Sequence, residues 1–296
     1  WDLQALPQHL VIVGGGAIGM EMAQSFRRLG SEVTVIEPGN LLSRDDPESV
    51  AVVVDRMEAE GVMFVRGKAA KVVPGALGSF TLSLEDGQEI AGTHLLLATG
   101  RKARVEGYGL EEIGVALGRN GIAVDERRRT SLKHIYAIGD CRDGPRLTHV
   151  SGYEGSNVAL EITLGLPTKV DWSALPWCTY TDPEVAWCGL TETEAKAKGV
   201  KFEKGVFPWA ASGRSLSNGR SEGVTKLLFD PEDQRVIGCC IVGTNAGDLI
   251  SEAALAIEMG ADAVDLGHTI HPHPTLAEVV MEAAEDVHGL CVHSAK

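Results

Sequence analysis

The sequence predicts an α/β protein: a parallel, helix-covered sheet carrying an antiparallel insertion, joined to a separate α+β domain. Three observations predict it. Short apolar runs alternate with helix-like stretches over the first 65 residues. A turn-rich, strand-like segment then interrupts the alternation at 71–94. From Val170 onward strand-like pieces dominate, and helical pieces follow them.

The elements follow in order. His9–Val13 (HLVIV) is a short buried-strand run ending in Gly14-Gly15-Gly16. Ala17–Leu29 reads as a helix, with Ile18, Met22, Phe26 and Leu29 on one face and Gly30 as its stop. Glu32–Ile36 is a second strand that ends at Glu37. Pro47–Glu60 is a helix with Pro near its start and Gly61 after it. Val62–Val65 is a third strand, completing a parallel unit with crossovers. Residues 71–94, with Pro, Gly and a Glu85-Asp86-Gly87 turn, read as inserted antiparallel strands, and Leu95–Ala98 returns to the sheet. Residues 101–167 form a looser segment around the phrase HIYAIGDC. Beyond it, strands are expected near 178–180, 185–187, 225–229 and 236–242. Helices are expected over Gly247–Met259 and from Pro274. The division is 1–102, 103–167 and 168–296.

Composition bounds the partners. With 27 Lys+Arg against 41 Asp+Glu the net charge is −14, a surface that repels nucleic acid and anionic membrane faces. No run of 18 apolar residues is present, so no spanning helix is expected. The six cysteines lack Cys-x-x-Cys or zinc-ligand spacing, so no metal site is expected. They read as reduced thiols of a cytoplasmic protein. Cys239 and Cys240 lie in a strand-like run and read as packed strand residues rather than a redox pair. The chain opens on Trp1 rather than Met, so a missing leader carries little weight.

Gly14-x-Gly16-x-x-Gly19 follows a strand and opens a helix. Gly14 permits the tight turn, Gly16 lets a pyrophosphate approach the backbone, and Gly19 lets helix and strand pack closely. The helix N-terminus adds N–H donors. Glu37 ends the second strand, eighteen residues beyond Gly19, where a carboxylate accepts from a ribose 2′-hydroxyl and repels a 2′-phosphate. The unit therefore reads as a Rossmann-like domain selective for NAD.

Several phrases extend this reading: HLVIVGGGAIGMEMAQSFRRLGSEVTVIE (9–37), LLLATGRK (95–102), IYAIGD (135–140), YTDPEVAWCGLTE (180–192), FPWAASGRS (207–215) and HPHPTLAE (271–278). Together they make the chain resemble the flavin-dependent pyridine nucleotide-disulfide oxidoreductases, and within them the dihydrolipoamide-oxidising branch. The resemblance implies FAD and NAD as cofactors, a C-terminal interface domain, a homodimer, and the dihydrolipoyl domain of 2-oxo-acid dehydrogenase complexes as partner. It extends the NAD contacts to Gly15, Ala17, Ile18, Met20, Glu21, Ala69 and Gly100. It assigns flavin contacts to Asp140 and to the loop Arg146, Leu147, Thr148 and His149. Thr148 stands where the family usually has Ala, Val150 where it has a small or basic residue, and Ala103-Arg104 where it tends to have Pro-Asn. The family's first half carries a second glycine loop and a Cys-x-x-x-x-Cys redox pair. This sequence has neither, so it reads as the C-terminal part of such an enzyme, expected to be inactive alone.

In the same resemblance His273 is the base that takes a thiol proton for the partner subunit's disulfide, and Glu278 orients its ring. Spacing alone says little, since a His and a Glu five residues apart also describe a solvated helix start. His271 is read as lining the channel, and His149 and His268 as structural. Asp230 to Asp233 and the acids Glu282, Glu285 and Asp286 read as solvated faces. Competing readings remain. Glutathione reductase would want Arg near the end of the second strand, and mercuric reductase a C-terminal Cys pair. A flavin transhydrogenase would not need His273. An NAD-binding, dimerising module would bind NAD without turnover.

Overall fold

A computed structural model describes residues 3–167 and 169–293. β1 (His9–Val13) is buried beyond its first residue. α1 (Ala17–Leu29) stops where Gly30 turns left-handed (φ 111°) and its N–H reaches the Arg27 and Phe26 carbonyls, a conformation that favours glycine. β2 (Glu32–Glu37) pairs parallel with β1. α2 (Pro47–Ala59) begins with Pro47 in its first turn and Asp46 as cap, whose carboxylate accepts from the Glu48 and Ser49 N–H groups. β3 (Val62–Arg66) pairs with β2. The insertion is β4 (Ala69–Pro74), β5 (Phe80–Leu84) and β6 (Glu89–Gly92), an antiparallel sheet. β7 (His94–Leu97) then rejoins beside β1, giving the parallel order β3-β2-β1-β7. Phe80, Leu82, Leu84 and Ile90 pack against Val11, Val13 and Ile36 on one face of this sheet. Met20, Ala23, Val53 and Met57 cover the other, each large side chain contributing roughly 1.5–3 kcal/mol on leaving water.

The chain forms two compact units, one comprising residues up to Thr99 and from Ser173 on, the other Gly100–Trp172. The second unit holds a 17-residue helix, α3 (Thr148–Leu164), where the sequence suggested only a looser segment. Val150 is the one apolar residue buried on it, and Glu154 and Glu161 are the others, so no hydrophobic period reveals it. Buried Glu154 pairs with Arg128 at 2.9 Å and with Arg142, and accepts the Gly139 N–H at 2.7 Å. Buried Glu161 pairs with Arg127 at 2.8 Å and with Arg129, and accepts from the Tyr136 hydroxyl at 3.1 Å. Val115, Ile122 and Ala137 form a small apolar centre beside this network.

In the first unit the remaining chain builds a five-stranded sheet, β10-β11-β12-β9-β8. Its strands and first helices are β8 (Trp177–Thr179), β9 (Glu184–Gly189), α4 (Glu192–Lys198), β10 (Glu203–Pro208), α5 (Gly213–Ser217), β11 (Val224–Phe229) and β12 (Val236–Gly243). α6 (Ala246–Met259), α7 (Ala263–His268) and α8 (Glu278–Val287) follow and cover Phe207, Leu227, Phe229 and Ile241 on one face. The opposite face places Val185, Trp187, Cys240 and Val242 in the same core as β1 and α2. Polar bonds lock that junction. Buried Lys226 meets Asp46 at 2.9 Å, Glu48 at 2.8 Å and Glu192 at 3.1 Å, and the Gln24 amide exchanges bonds of 2.8 and 2.7 Å with the Asp182 backbone. Cys239 and Cys240 are both buried free thiols packed in different cores, and burial pushes the Cys240 thiol up to about 12. Most boundaries shift by a residue or two from the sequence reading, and one shifts further. The terminal helix begins at Glu278, not Pro274, because residues 274–277 form a turn in which the Thr275 hydroxyl bonds the Pro272 carbonyl at 2.8 Å. Among the described residues no helix is long and apolar enough to cross a membrane.

Candidate active site

The glycine loop spans β1 and α1 of the first unit. Gly14 has φ 114° and lies so close to β7 that a Cβ would sit 2.5 Å from the Ala98 carbonyl oxygen. A Cβ on Gly19 would sit 1.9 Å from the Gly14 oxygen, and one on Gly15 would meet Leu41 at 2.4 Å. Gly16 differs: a Cβ there meets nothing within 4 Å. Its glycine answers to open space above the helix start rather than to packing. Gly16 caps α1 without a side-chain bond, and the first N–H groups of a helix have no intrahelical partner. Ala17 is half-buried and Ile18 exposed there. Met20 is not brought to this opening, because its side chain is buried in the core and its N–H bonds the Gly16 carbonyl at 3.0 Å.

Glu37 stands at the end of β2 as the sequence placed it. One carboxylate oxygen accepts the Gly15 N–H at 2.8 Å and the other the Gly39 N–H at 2.9 Å. With Leu41, Val50, Phe64 and Arg66 it lines a cavity of about 510 Å³. The Glu37 carbonyl accepts the Gly67 N–H at 3.2 Å, which brings the turn leading to half-buried Ala69 beside it. Glu21 projects from α1 to accept the Tyr180 N–H at 2.9 Å. Burial raises its carboxyl, and that bond only partly offsets the rise.

The second cluster lies at the start of α8. His273 Nδ1 and Glu278 Oε1 are 2.9 Å apart, and Glu278 Oε2 accepts the Thr275 N–H at 2.7 Å. Burial pushes the Glu278 carboxyl up, but the Thr275 N–H and the His273 ring together hold it below the usual carboxylate range. The His273 side chain is 70% exposed, so its Nε2 is open to a reactant. A ring with one nitrogen held by a carboxylate and the other free is the geometry of an oriented general base. His271 is tied at both nitrogens, to the Thr269 carbonyl at 2.7 Å and Glu252 at 2.8 Å, which leaves it no free nitrogen.

The acids after Glu278 correct the sequence reading of a solvated face. Glu282 is buried, accepts the Cys291 thiol at 2.9 Å and pairs with His293 Nδ1. Asp286 accepts the Val206 N–H at 3.0 Å. Their four-residue spacing from Glu278 was the available signal, since it puts Glu282 on the same helix face.

The second unit carries the residues assigned to the flavin. Asp140 is exposed on a short turn, Gly139–Cys141, whose backbone Glu154 holds. Arg146 is committed to the Arg101 carbonyl at 3.0 Å and the Asn120 carbonyl at 2.8 Å, so it braces the loop. Leu147 caps α3, and Thr148 and His149 open it exposed. Gly100 begins this unit with φ 116° and open space at its Cβ position.

Comparison with known proteins agrees with both halves of the architecture. The model of the pyridine nucleotide-disulphide oxidoreductases matches residues 1–155, and that of their dimerisation domain matches 175–284. The chain is 42% identical to a dihydrolipoyl dehydrogenase of Thermus scotoductus, over 98% of this chain and 64% of that protein. It is 39% identical to the enzyme of that name from Geobacillus stearothermophilus, over 99% and 63%. The chain thus spans less than two thirds of the length of these relatives. Among solved structures it superposes on LpdA from Mycobacterium tuberculosis with a TM-score of 0.90 at 29% identity, over 96% of this chain and 62% of that one. It superposes on the HOCl-induced flavoprotein disulfide reductase RclA of Escherichia coli with 0.87 at 25%, over 98% and 66%. On its own residues and on these likenesses, the chain belongs to the pyridine nucleotide-disulphide oxidoreductase family.

Proposed function

We propose that this chain supplies the NAD-binding loop, the second flavin-contacting turn and the acid–base pair of a homodimeric enzyme that oxidises dihydrolipoamide with NAD⁺. The observation that carries the reading is the His273–Glu278 pair, with Nδ1 held at 2.9 Å and the rest of the ring exposed. Glu278 keeps the proton on Nδ1, and Nε2 accepts the proton of a substrate thiol, leaving a thiolate. The thiolate needs a disulfide to attack. No Cys-x-x-x-x-Cys pair occurs in this chain, so the disulfide comes from outside these 296 residues. Without it the chain binds NAD and dimerises but does not turn over.

The cofactor groups fit the residues present. The open space at Gly16 and the uncapped start of α1 fit a pyrophosphate, and Glu37 fits a ribose hydroxyl at the adjacent strand end. Asp140, exposed on a braced turn, fits a flavin hydroxyl. Bound flavin would pass the electron pair from dithiol to NAD⁺. The partner is a dihydrolipoyl domain of a 2-oxo-acid dehydrogenase complex, in the cytoplasm. Dimerisation is supported by the matching domain family and by the exposed apolar side chains Leu255, Met259 and Ile270.

The test is His273→Gln in the flavin-loaded, disulfide-complemented enzyme. Dihydrolipoamide oxidation should fall about 100-fold or more, the scale of a general base, while NADH oxidation by an artificial acceptor persists. Equal loss of both activities would make His273 structural and overturn the reading.

A further inference from the structure

Glu278 and Glu282 lie one turn apart on α8, and each holds a histidine. Glu278 holds His273. Glu282, buried, holds His293 Nδ1 on one oxygen and the Cys291 thiol on the other at 2.9 Å. Both pairs line a single cavity of about 130 Å³, together with Phe207 and Ser212. We propose that His293 is a positioning residue of the base pocket, a cation anchored by Glu282 that keeps the neighbouring His273–Glu278 pair ready to accept a proton. The proposal rests on His273 being the base.

The chemistry follows from charge and burial. A buried carboxylate needs a compensating partner, and Glu282 finds it in the His293 ring. The hydrogen bond to Glu282, and then its charge, raise the His293 ring above its ordinary value, which favours its positive form. Glu278 and Glu285 of α8 also face it. Glu285 is in turn raised, chiefly by burial and then by Glu282, and His268 at the end of α7 opposes that rise. The positive ring draws Glu278 toward its carboxylate form. It also disfavours a second positive ring in the same pocket. When the step occurs, the S–H bond of the substrate breaks and an N–H bond forms at His273. His293 exchanges no proton and supplies only its charge.

The experiment is the pH profile of kcat/KM for dihydrolipoamide oxidation in His293→Gln, His293→Lys and the parent enzyme. It is paired with an NMR titration of the His293 ring in the parent and in Glu282→Gln. The Gln variant should move the acid limb up by about half a pH unit, roughly a threefold loss on that limb. The Lys variant, which keeps the charge, should restore it. The His293 titration should drop in Glu282→Gln. A uniform loss at every pH, a Lys variant no better than Gln, or a His293 titration indifferent to Glu282 would each overturn the proposal. Full dihydrolipoamide activity in His273→Gln would instead overturn the base reading.

Discussion

Glu278→Gln tests the acid–base pair at the atom where it is built. Both carboxylate oxygens accept: Oε1 from His273 Nδ1 at 2.9 Å and Oε2 from the Thr275 N–H at 2.7 Å. A glutamine has one acceptor oxygen and a donor NH₂. If the oxygen stays on Thr275, the amide N–H faces Nδ1 and drives the ring proton to Nε2, where a base needs a lone pair. If the oxygen serves His273, the Thr275 N–H loses its acceptor and the 272–278 turn loosens. A bond to a charged group is worth about 1.5–3 kcal/mol. His273 is largely exposed, which puts the value near the lower end, about a tenfold loss. The wrong tautomer would deepen that loss further. The assay is dihydrolipoamide-dependent NAD⁺ reduction beside NADH oxidation by an artificial acceptor, with melting temperature as a control. Glu278→Gln with more than half the parent turnover, or with both activities lowered equally, would refute the argument. The same pair has a pH signature. A depressed carboxyl contributes stability that is present above its unfolded pKa and lost as the pH falls through the folded value.

Three further outcomes are expected. Glu37→Arg should shift preference from NAD toward NADP, and an unchanged ratio of the two affinities would remove Glu37 from the ribose site. It should also loosen the 37–42 loop, which loses acceptors for the Gly15 and Gly39 N–H groups. Gly16→Ala and Gly19→Ala should separate ligand space from packing. The first, with nothing near its Cβ, should keep the melting temperature and weaken NAD binding about tenfold or more, whereas the second, 1.9 Å from the Gly14 oxygen, should destabilise the fold. Equal melting temperatures in calorimetry would contradict this. Asp45→Asn should raise the melting temperature by a few degrees at pH 7 and not at pH 4. Burial lifts the Asp45 carboxyl to about 6 despite the Trp187 N–H bond at 3.2 Å, so its folding penalty grows as pH rises from about 4 to 6.

The parallel sheet was legible in the sequence because its signals are local. HLVIV, the three glycines, EVTVI and the Pro47 start each encode an element by its own periodicity or dihedral demand, and each appears within a residue or two. Glu37 was placed at the end of β2 for a related reason, whereas the His273–Glu278 pair came from the family resemblance, because a His and a Glu five residues apart also describe a solvated helix start. α3 was not legible, because two of its three buried residues are Glu154 and Glu161. A charged residue reads as solvent-facing until arginines from distant turns are brought to it. The acids of α8 failed in the same way, because only folding brings Cys291 and His293 to Glu282. Met20 shows the converse: next to the glycine loop in sequence, it is turned by the helix into the core. The sequence by itself therefore determined the strand–helix order, the glycine-rich turn after β1 and the types of residue available for chemistry. The tertiary structure alone decided which charges are buried and paired, because desolvation depends on neighbours that the chain supplies from more than a hundred positions away, as Asp46 does for Lys226.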